Sequence, residues 1–430
     1  MSTFRNGFLS AFHIGLLLFG FSSMTARAQG LGNSPYSALG IGEVYSGNNI
    51  TNLGMGGLGV SYANGFFLNS VNPALLARNR NTIFEVGLLG QSKNITDTRG
   101  QSQRDFGANL SYLTLAFPVT KRWSAGLGLR PYSYVDYQTT QYQKVPGTIY
   151  EAEYTYRGKG GLNKAVLTNG FQIGKNFYAG VEAAFVFGNI TNDSESRLLI
   201  GGDDITVQRS NLASHSDVMW RLGAAWRPKL NKDWFLNIGA TFDPQTRIGG
   251  KTTDTYRQID ASGTQVSNPD TVNRTSRGSV TLPSQFRGGI VLEKTLKFAA
   301  GVEVTYQPWS KFSTLTGQPG NLRDSYSVAA GLEFMPKATS SKYLELINYR
   351  AGITYARLPY AVSATGPQLN DLSGSIGFSL PVGRFVNSLN LALTVGQRGT
   401  LSEGQIRERY VKLGFGLSLN DRWFNRYKVD

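Results

Sequence analysis

The sequence predicts an all-β protein: a transmembrane antiparallel β-barrel of about fourteen strands with an N-terminal hatch in its lumen. Three observations predict it. The first is period two. "SLNLALTVGQ" sets Leu389, Leu391, Leu393 and Val395 on one face and Asn390, Ala392, Thr394 and Gly396 on the other. "FAAGVEVTY", "VMWRLGAAW" and "YVKLGFGLSL" alternate in the same way. Strict alternation over such lengths marks strands, not helices. The second is composition. Aromatics make up 12% of the chain and glycines number 51, an excess that suits aromatic girdles and a small-residue lumen. The third is the connections, which alternate between tight and long, as short periplasmic turns and long outer loops require.

The apolar face is the continuous one and ends in aromatics, while the other carries glycine, serine, threonine and some full charges. That order reads as apolar-out and polar-in, against the mixed inner faces of a secreted sandwich or propeller.

Residues 1–28 read as a signal peptide: Arg5, an apolar run from Phe8 to Phe21, then Ala26 and Ala28 as an A-x-A cleavage pattern. The run is short for a spanning helix. Its removal leaves 402 residues with no cysteine and a net charge of +13. Nucleic acid is excluded as a partner, since the chain is exported and its basic residues are scattered rather than gathered in a stripe.

Residues 29–81 lack sustained alternation, are rich in glycine and asparagine, and fit a fourteen-strand lumen as a hatch. The barrel follows over 82–420. Its strands are expected at 82–92, 106–119, 123–138, 160–174, 177–192, 212–228, 233–248, 278–293, 296–310, 324–336, 346–360, 367–381, 386–399 and 406–420. Lys121-Arg122, Lys175-Asn176, Asn231-Lys232 and Lys294-Thr295 make tight turns, while 139–159, 193–211, 249–277 and 311–323 make long loops. This parity places both termini in the periplasm, with 421–430 as a C-terminal tail.

Inside the hatch, Gly54-Met-Gly56-Gly-Leu-Gly59 spells GxGxxG. A dinucleotide site needs a strand before it, a helix after it and an acid about twenty residues on. None of these is present, so the glycines are read as tight turns where the hatch meets the wall. "GKGG" at Gly158–Gly161 likewise lacks the full phosphate-loop spacing, and no cofactor is expected.

The hatch also contains "SVNPALLAR", and with it Asn72-Pro73-Ala74 just before the first strand. With "LAFPVTKRWSAGLGL", with "LPSQFRGGIVLEK", where Leu282-Pro283 opens a strand, and with Trp309-Ser310 closing the next, the mature chain resembles the outer-membrane long-chain fatty-acid and hydrocarbon transporters of FadL type. "SPYSALGIGE" and "LNDRWFNRYKVD" look like the Bacteroidota branch of that family. The resemblance implies passive transport of fatty acids or hydrocarbons through the outer membrane, gated by the hatch, with outer-membrane lipid and lipopolysaccharide around the barrel. Relatives with such a hatch also serve as barrel subunits of secretion, gliding or envelope-assembly complexes. That is the alternative function, and it implies protein partners.

No catalytic residue is expected. His215 is the one mature histidine, and its neighbours Ser214, Ser216 and Asp217 alternate faces along one strand instead of converging. His215 is read as a loop-edge residue at the outer rim. A lone histidine also gives no metal site. Lumen charges are more telling. Parity turns Arg221, Arg287, Arg350, Glu182, Glu303 and Glu333 inward, where they should pair with each other or with the hatch. The three arginines are also candidate partners for an anionic ligand. Phe66, Phe67 and Leu68 are candidate apolar contacts in the hatch. Pro131 interrupts the third strand, where it should bend or bulge the wall. The resemblance makes such a kink a lateral exit.

Overall fold

The computed structural model describes residues 31, 33–45, 47–201, 206–260, 264–266, 274–361, 366–383, 387–401 and 405–421. The signal-peptide reading, the sequence at 1–28 and the tail at 422–430 lie outside the described residues.

A hatch strand, β1 (Glu43–Val44), precedes the wall. The wall runs β2 (Thr82–Thr96), β3 (Ser102–Thr120), β4 (Trp123–Lys144), β5 (Glu151–Ile173), β6 (Phe177–Leu199), β7 (Thr206–Trp226), β8 (Trp234–Asp243) and β9 (Thr246–Ile259). It continues through β10 (Arg274–Leu282), β11 (Gln285–Lys294), β12 (Phe298–Gln307), β13 (Ser325–Phe334), β14 (Asn348–Ala361), β15 (Gln368–Val382), β16 (Asn387–Arg398) and β17 (Arg407–Asp421). Pro244 separates β8 from β9 and Pro283 separates β10 from β11, while β11 pairs with β8 and β10 with β9. Each pair is therefore one wall strand broken where proline has no N–H for the ladder. With β17 paired to β2 from Arg407↔Thr96 to Asp421↔Thr82, the wall is a closed antiparallel barrel of fourteen strands.

The alternating rows face outward. Leu127, Leu167, Phe185, Trp220, Ile353 and Leu413 are exposed, and Leu413 is 62% accessible despite sitting mid-strand. In water this would be a costly apolar belt; in a bilayer it is the lipid face. Aromatics bound it. Trp123 stacks on Phe171 and Trp234 meets Phe298 at the turn end, while Tyr326 meets Tyr355 and Phe242 stacks on Phe286 toward the loops. Phe298 and Tyr306 sit at opposite ends of β12, roughly 27 Å apart along the strand, the height of an outer-membrane apolar band.

The structure differs from the sequence expectation in several places, among them 249–259, expected as loop, which belongs to β9 and pairs with β7 and β10. Residues 139–159 and 193–211 are largely strand, not loop: β4 and β5 pair out to Lys144↔Glu151, and β6 and β7 out to Arg197↔Thr206. Threonine, tyrosine and cross-strand pairs such as Arg157–Glu195 support these rungs, although the same stretches are polar enough to read as loops. Leu282-Pro283 stands just ahead of β11, which begins at Gln285, but the wall strand it belongs to starts earlier, with β10 at Arg274. Leu31 packs on Leu89 and Tyr134 in the loop half of the lumen, and the hatch then descends toward Thr82.

Candidate functional site

The hatch meets the wall through glycines. Wall glycines with inward parity lie so close to it that a Cβ on Gly180 would sit 2.4 Å from the Ala74 nitrogen, and one on Gly223 would sit 2.2 Å from Asn72 Oδ1. Gly239 is matched to the Val60 carbonyl, Gly331 to that of Met55, and Gly352 to the Gly56 nitrogen. Asn72 caps the turn Pro73–Arg78, accepting from the Ala74 N–H at 3.0 Å and donating to the Val60 carbonyl at 2.7 Å and the Ala224 carbonyl at 3.1 Å. Asn72-Pro73-Ala74 is thus a seat on β5, β6 and β7. The GxGxxG glycines play the same part further round the wall: Gly54 lies against Gly377, and Gly56 holds φ +70° beside Gly352. Backbone approaches this close leave no room for a side chain on the glycine.

Buried charges lock the seat. Glu303 accepts the N–H groups of Gly59 and Val60, each at 2.8 Å. Arg350 donates to Glu333 at 2.7 Å, and Glu333 also accepts the Tyr62 hydroxyl at 2.7 Å. Arg130 pairs with Glu182 and donates to the Ser70 carbonyl at 2.9 Å. Arg221 grips Asp243 with two bonds of 2.7 Å. Of the six inward charges expected from the sequence, Glu182, Glu303, Glu333, Arg221 and Arg350 find a partner on the hatch or wall, while Arg287 donates to a neutral amide, Gln285, at 3.2 Å.

Above the hatch lies a cavity of about 330 Å³. Its floor is hatch backbone near Gly56 and Gly57, and its walls include Met219, Tyr132, Leu358, Lys164, Arg221 and Arg287. The segment after β12 folds inward to roof the loop half: Trp309, Phe312 and Leu322 join Tyr36, Ile41 and Tyr360 in one apolar cluster. Among the described residues Lys164 has no ion-pair partner; its ammonium faces the Tyr132 ring at 5.2 Å. The cavity is therefore amphiphilic, with Lys164 and Arg287 among the lining cations that form no ion pair within the described residues, beside apolar walls.

The candidate ligand residues are not all brought together. Arg221 and Arg287 line the main cavity. Phe67, Leu68 and Arg350 instead surround a gap of about 20 Å³ on the turn side, with the Arg350 guanidinium 5.2 Å from the Phe67 ring. Phe66 lies beside them, its N–H bonded to Asn64. Lys164 and Arg130 escape the sequence reading, although their inward parity on β5 and β4 was the available signal. Glu43 gives no signal, because it lies in no alternating segment, and Trp309 reads from the sequence as the close of a strand rather than as part of a roof.

Pro131 sits at a break in the wall. The β4–β5 register shifts between Pro131 and Ser133, and the β3–β4 ladder runs from the turn only as far as Leu113↔Leu129. Beyond that point the two strands part. The hatch fills the parting: β1 pairs Glu43↔Tyr134 and Val44↔Ser133, the Tyr45 N–H donates to the Tyr132 carbonyl at 2.9 Å, and the Ser34 N–H donates to the Asp136 carbonyl at 2.8 Å.

The family model of BamG matches residues 12–430. The chain belongs to the BamG family. Among solved structures, this BamG-family chain is similar in fold to the toluene transporter TodX of Pseudomonas putida, at 16% identity and a TM-score of 0.57 over 89% of this chain and 100% of that one. The CymD monoaromatic hydrocarbon channel gives 15% identity and a TM-score of 0.54, covering 89% and 99%. A FadL homologue of Pseudomonas aeruginosa gives 13% and 0.55, covering 88% and 98%. At such identities the likeness establishes the fold, that of an outer-membrane barrel. No curated protein matches the chain.

His215 is not at a loop edge. It is buried within β7, paired between Gly188 of β6 and Gly250 of β9, because the strands extend past the expected rim. Asp217 is engaged by the Gly249 N–H at 3.0 Å and does not converge on the imidazole.

Proposed function

We propose that the chain is a passive outer-membrane transporter of hydrophobic small molecules carrying an anionic head, of the fatty-acid class. The observation that carries this reading is the cavity above the hatch. Apolar groups such as Met219 and Leu358 offer room for a chain, and Lys164 and Arg287 offer charges not already taken by a carboxylate. A carboxylate held by both would gain charge-assisted hydrogen bonds that water in a narrow lumen replaces poorly. Ligand would enter between the outer loops, rest above the hatch and leave sideways where the wall parts at Pro131. The toluene and monoaromatic-hydrocarbon transport named for TodX and CymD is in keeping with an apolar cargo.

Mass spectrometry of lipids retained by the purified barrel tests the reading. A recurrent fatty acid should appear, and Lys164→Met with Arg287→Met should reduce its retention about tenfold or more, the loss expected for charge-assisted bonds. Equal retention by the double variant would remove the ligand site.

A second reading has its own observation. β5 and β6 each run 23 residues, where roughly ten span a membrane. The excess builds a tall wall on one side of the barrel, a platform suited to protein partners. Membership of the BamG family accords with a role as barrel subunit of an envelope-assembly complex. Stoichiometric protein subunits and no lipid in the same purification would favour it.

A further inference from the structure

We propose that the outside of the barrel carries a site for one phosphorylated outer-leaflet lipid, where β2, β3, β16 and β17 reach the outer rim. The site lies on the lipid face, away from the lumen, and depends on neither reading of the cavity.

Parity on these strands sets polar residues where the apolar rows end. On β17, Leu413 and Val411 face lipid, and Arg409 and Arg407 continue the same row. On β3 the outward row runs from Phe106 to Arg104, and on β2 from Gly90 through Ser92 to Asn94. Pairing joins them. Arg409↔Asn94 and Asn94↔Arg104 share one rung, and Gln397 of β16 stands on the other side of Arg409. Strand geometry gives the height of that rung. Phe84 is exposed to lipid near the turn end of β2, and Asn94 lies ten residues further along the strand. At about 3.4 Å per residue and a tilt of roughly 40°, the rise is about 26 Å, the height of the apolar band. Arg104, Asn94 and Arg409 therefore stand at the level of lipid headgroups.

Two features separate this row from an ordinary solvated rim. The first is unmatched charge. On the tall side of the barrel Arg157 is matched to Glu195 at 2.8 Å, Arg197 to Glu153 at 2.9 Å and Arg209 to Asp254 at 3.0 Å. Among the described residues Arg104, Arg407 and Arg409 have no acidic partner. Arg409 donates to the neutral Gln397 at 3.1 Å, and the Arg407 Nε is buried without a hydrogen bond. Nearby acids are turned away or occupied. Glu408 and Asp371 face the lumen, where both hold Arg398. Asp97 takes Arg99, and Asp324 accepts the Tyr306 hydroxyl and the Ser310 N–H.

The second feature is a groove of about 420 Å³, with Asn94, Arg104 and Arg409 at its polar end and Val395 and Val411 at its apolar end. Phe106 extends the apolar end. It is 69% exposed, and its ring lies over Gly90, which has no side chain to displace it. A matching ligand has acyl chains below and an anion above. Guanidinium forks suit phosphate oxygens, and the amide of Asn94 adds a neutral donor. A free phosphate would satisfy the upper end alone and leave the apolar end empty. With the loop end outward, the occupant is a phosphorylated glycolipid of the lipid A class.

Titration of the purified barrel in detergent with lipid A, read by native mass spectrometry, tests the site. One lipid A should bind, and the same lipid stripped of its phosphates by phosphatase should need about tenfold or more to half-saturate the barrel, the loss expected for charge-assisted bonds. Arg104→Gln with Arg409→Gln should raise half-saturation by lipid A as much, and Phe106→Ala by a smaller factor. Arg157→Gln, on the tall side, should leave it unchanged. Inorganic phosphate should not displace the lipid. Heat-modified gel mobility reports whether each variant is a folded barrel, and the phosphatase comparison needs no variant. Equal binding with and without the phosphates overturns the site. Equal binding by the folded double variant places the lipid elsewhere on the wall and overturns it as well. Displacement by inorganic phosphate would make it a site for a free anion and overturn the lipid assignment.

Discussion

The two ends of the hatch occupy one lumen and are held by opposite means. Residues 50–78 press backbone against backbone on glycines such as Gly180, Gly223 and Gly352, with Glu303 and Glu333 closing the charge balance. Residues 33–45 borrow a strand edge, a set of polar side chains and, through Tyr36 and Ile41, the apolar cluster of the loop half. Close packing is steep: a displacement of half an ångström forfeits contact, and an added methyl group has no room. An added strand held by water-exchangeable bonds yields at lower cost.

The largest test of that contrast is electrostatic. Arg130→Met leaves Glu182 buried without its cation, and the loss of the Ser70 contact loosens the seat as well. Breaking such a buried pair is expected to cost about 3–5 kcal/mol, seen as a large fall in the unfolding temperature of the detergent-solubilised barrel. Gly223→Val comes next. Its side chain would enter the space of Asn72 and Pro73, and overpacking should cost about 1–3 kcal/mol and raise ion conductance through the barrel as the seat lifts. The same substitution at Gly374, where a Cβ meets nothing within 4 Å, should leave both quantities unchanged. If the two variants behave alike, the glycine seat is not what holds the plug.

Changes at residues 33–45 should be smaller and local. Glu43→Gln weakens the hold of Arg398, which keeps Asp371 and Glu408 as partners. We expect about 1–2 kcal/mol, confined to residues 33–45 in exchange experiments while the barrel melts as before. pH sharpens the point. Burial by itself would raise the Glu43 carboxyl, but Arg398 and Lys93 outweigh it and hold it below the ordinary carboxylate range. A depressed carboxylate contributes stability that is fully present above its unfolded value and is lost only as pH falls through the folded one. A fluorescent label at position 44 should therefore report a strand in place from pH 7 down to 5, with release confined to strong acid. Release near pH 6 would assign the hold to another group. The smallest stability effect is expected of Pro131→Val, within ~0.5 kcal/mol. It should nonetheless lower uptake by letting the β3–β4 ladder extend across the parting.

Much of the wall was legible before any coordinates. Leu389, Leu391 and Leu393 announce a lipid face because a strand turns successive side chains to opposite sides, and no tertiary information is needed to see it. The inward charges follow from the same parity, and Pro131 follows from its missing N–H. Less was legible where polarity and strand geometry separate. Residues 139–144 and 193–199 carry Gln, Thr, Asp and Ser, which suit a loop or a solvated strand equally, and only pairing across to 151–157 and 206–211 decides between them.

Local chemistry determined the barrel, its facing and its breaks, because period two and proline act within a few residues. What the hatch does was decided in three dimensions. Glycines scattered from Gly170 to Gly416 have no common pattern in the chain, yet closure of the wall sets them opposite one descending backbone. The bond from Glu43 to Arg398 spans 355 residues. Contacts of that range arise only once the cylinder has closed, which is why the sequence shows a hatch with tight glycine turns against the wall but not which wall residues seat it or what lines the cavity.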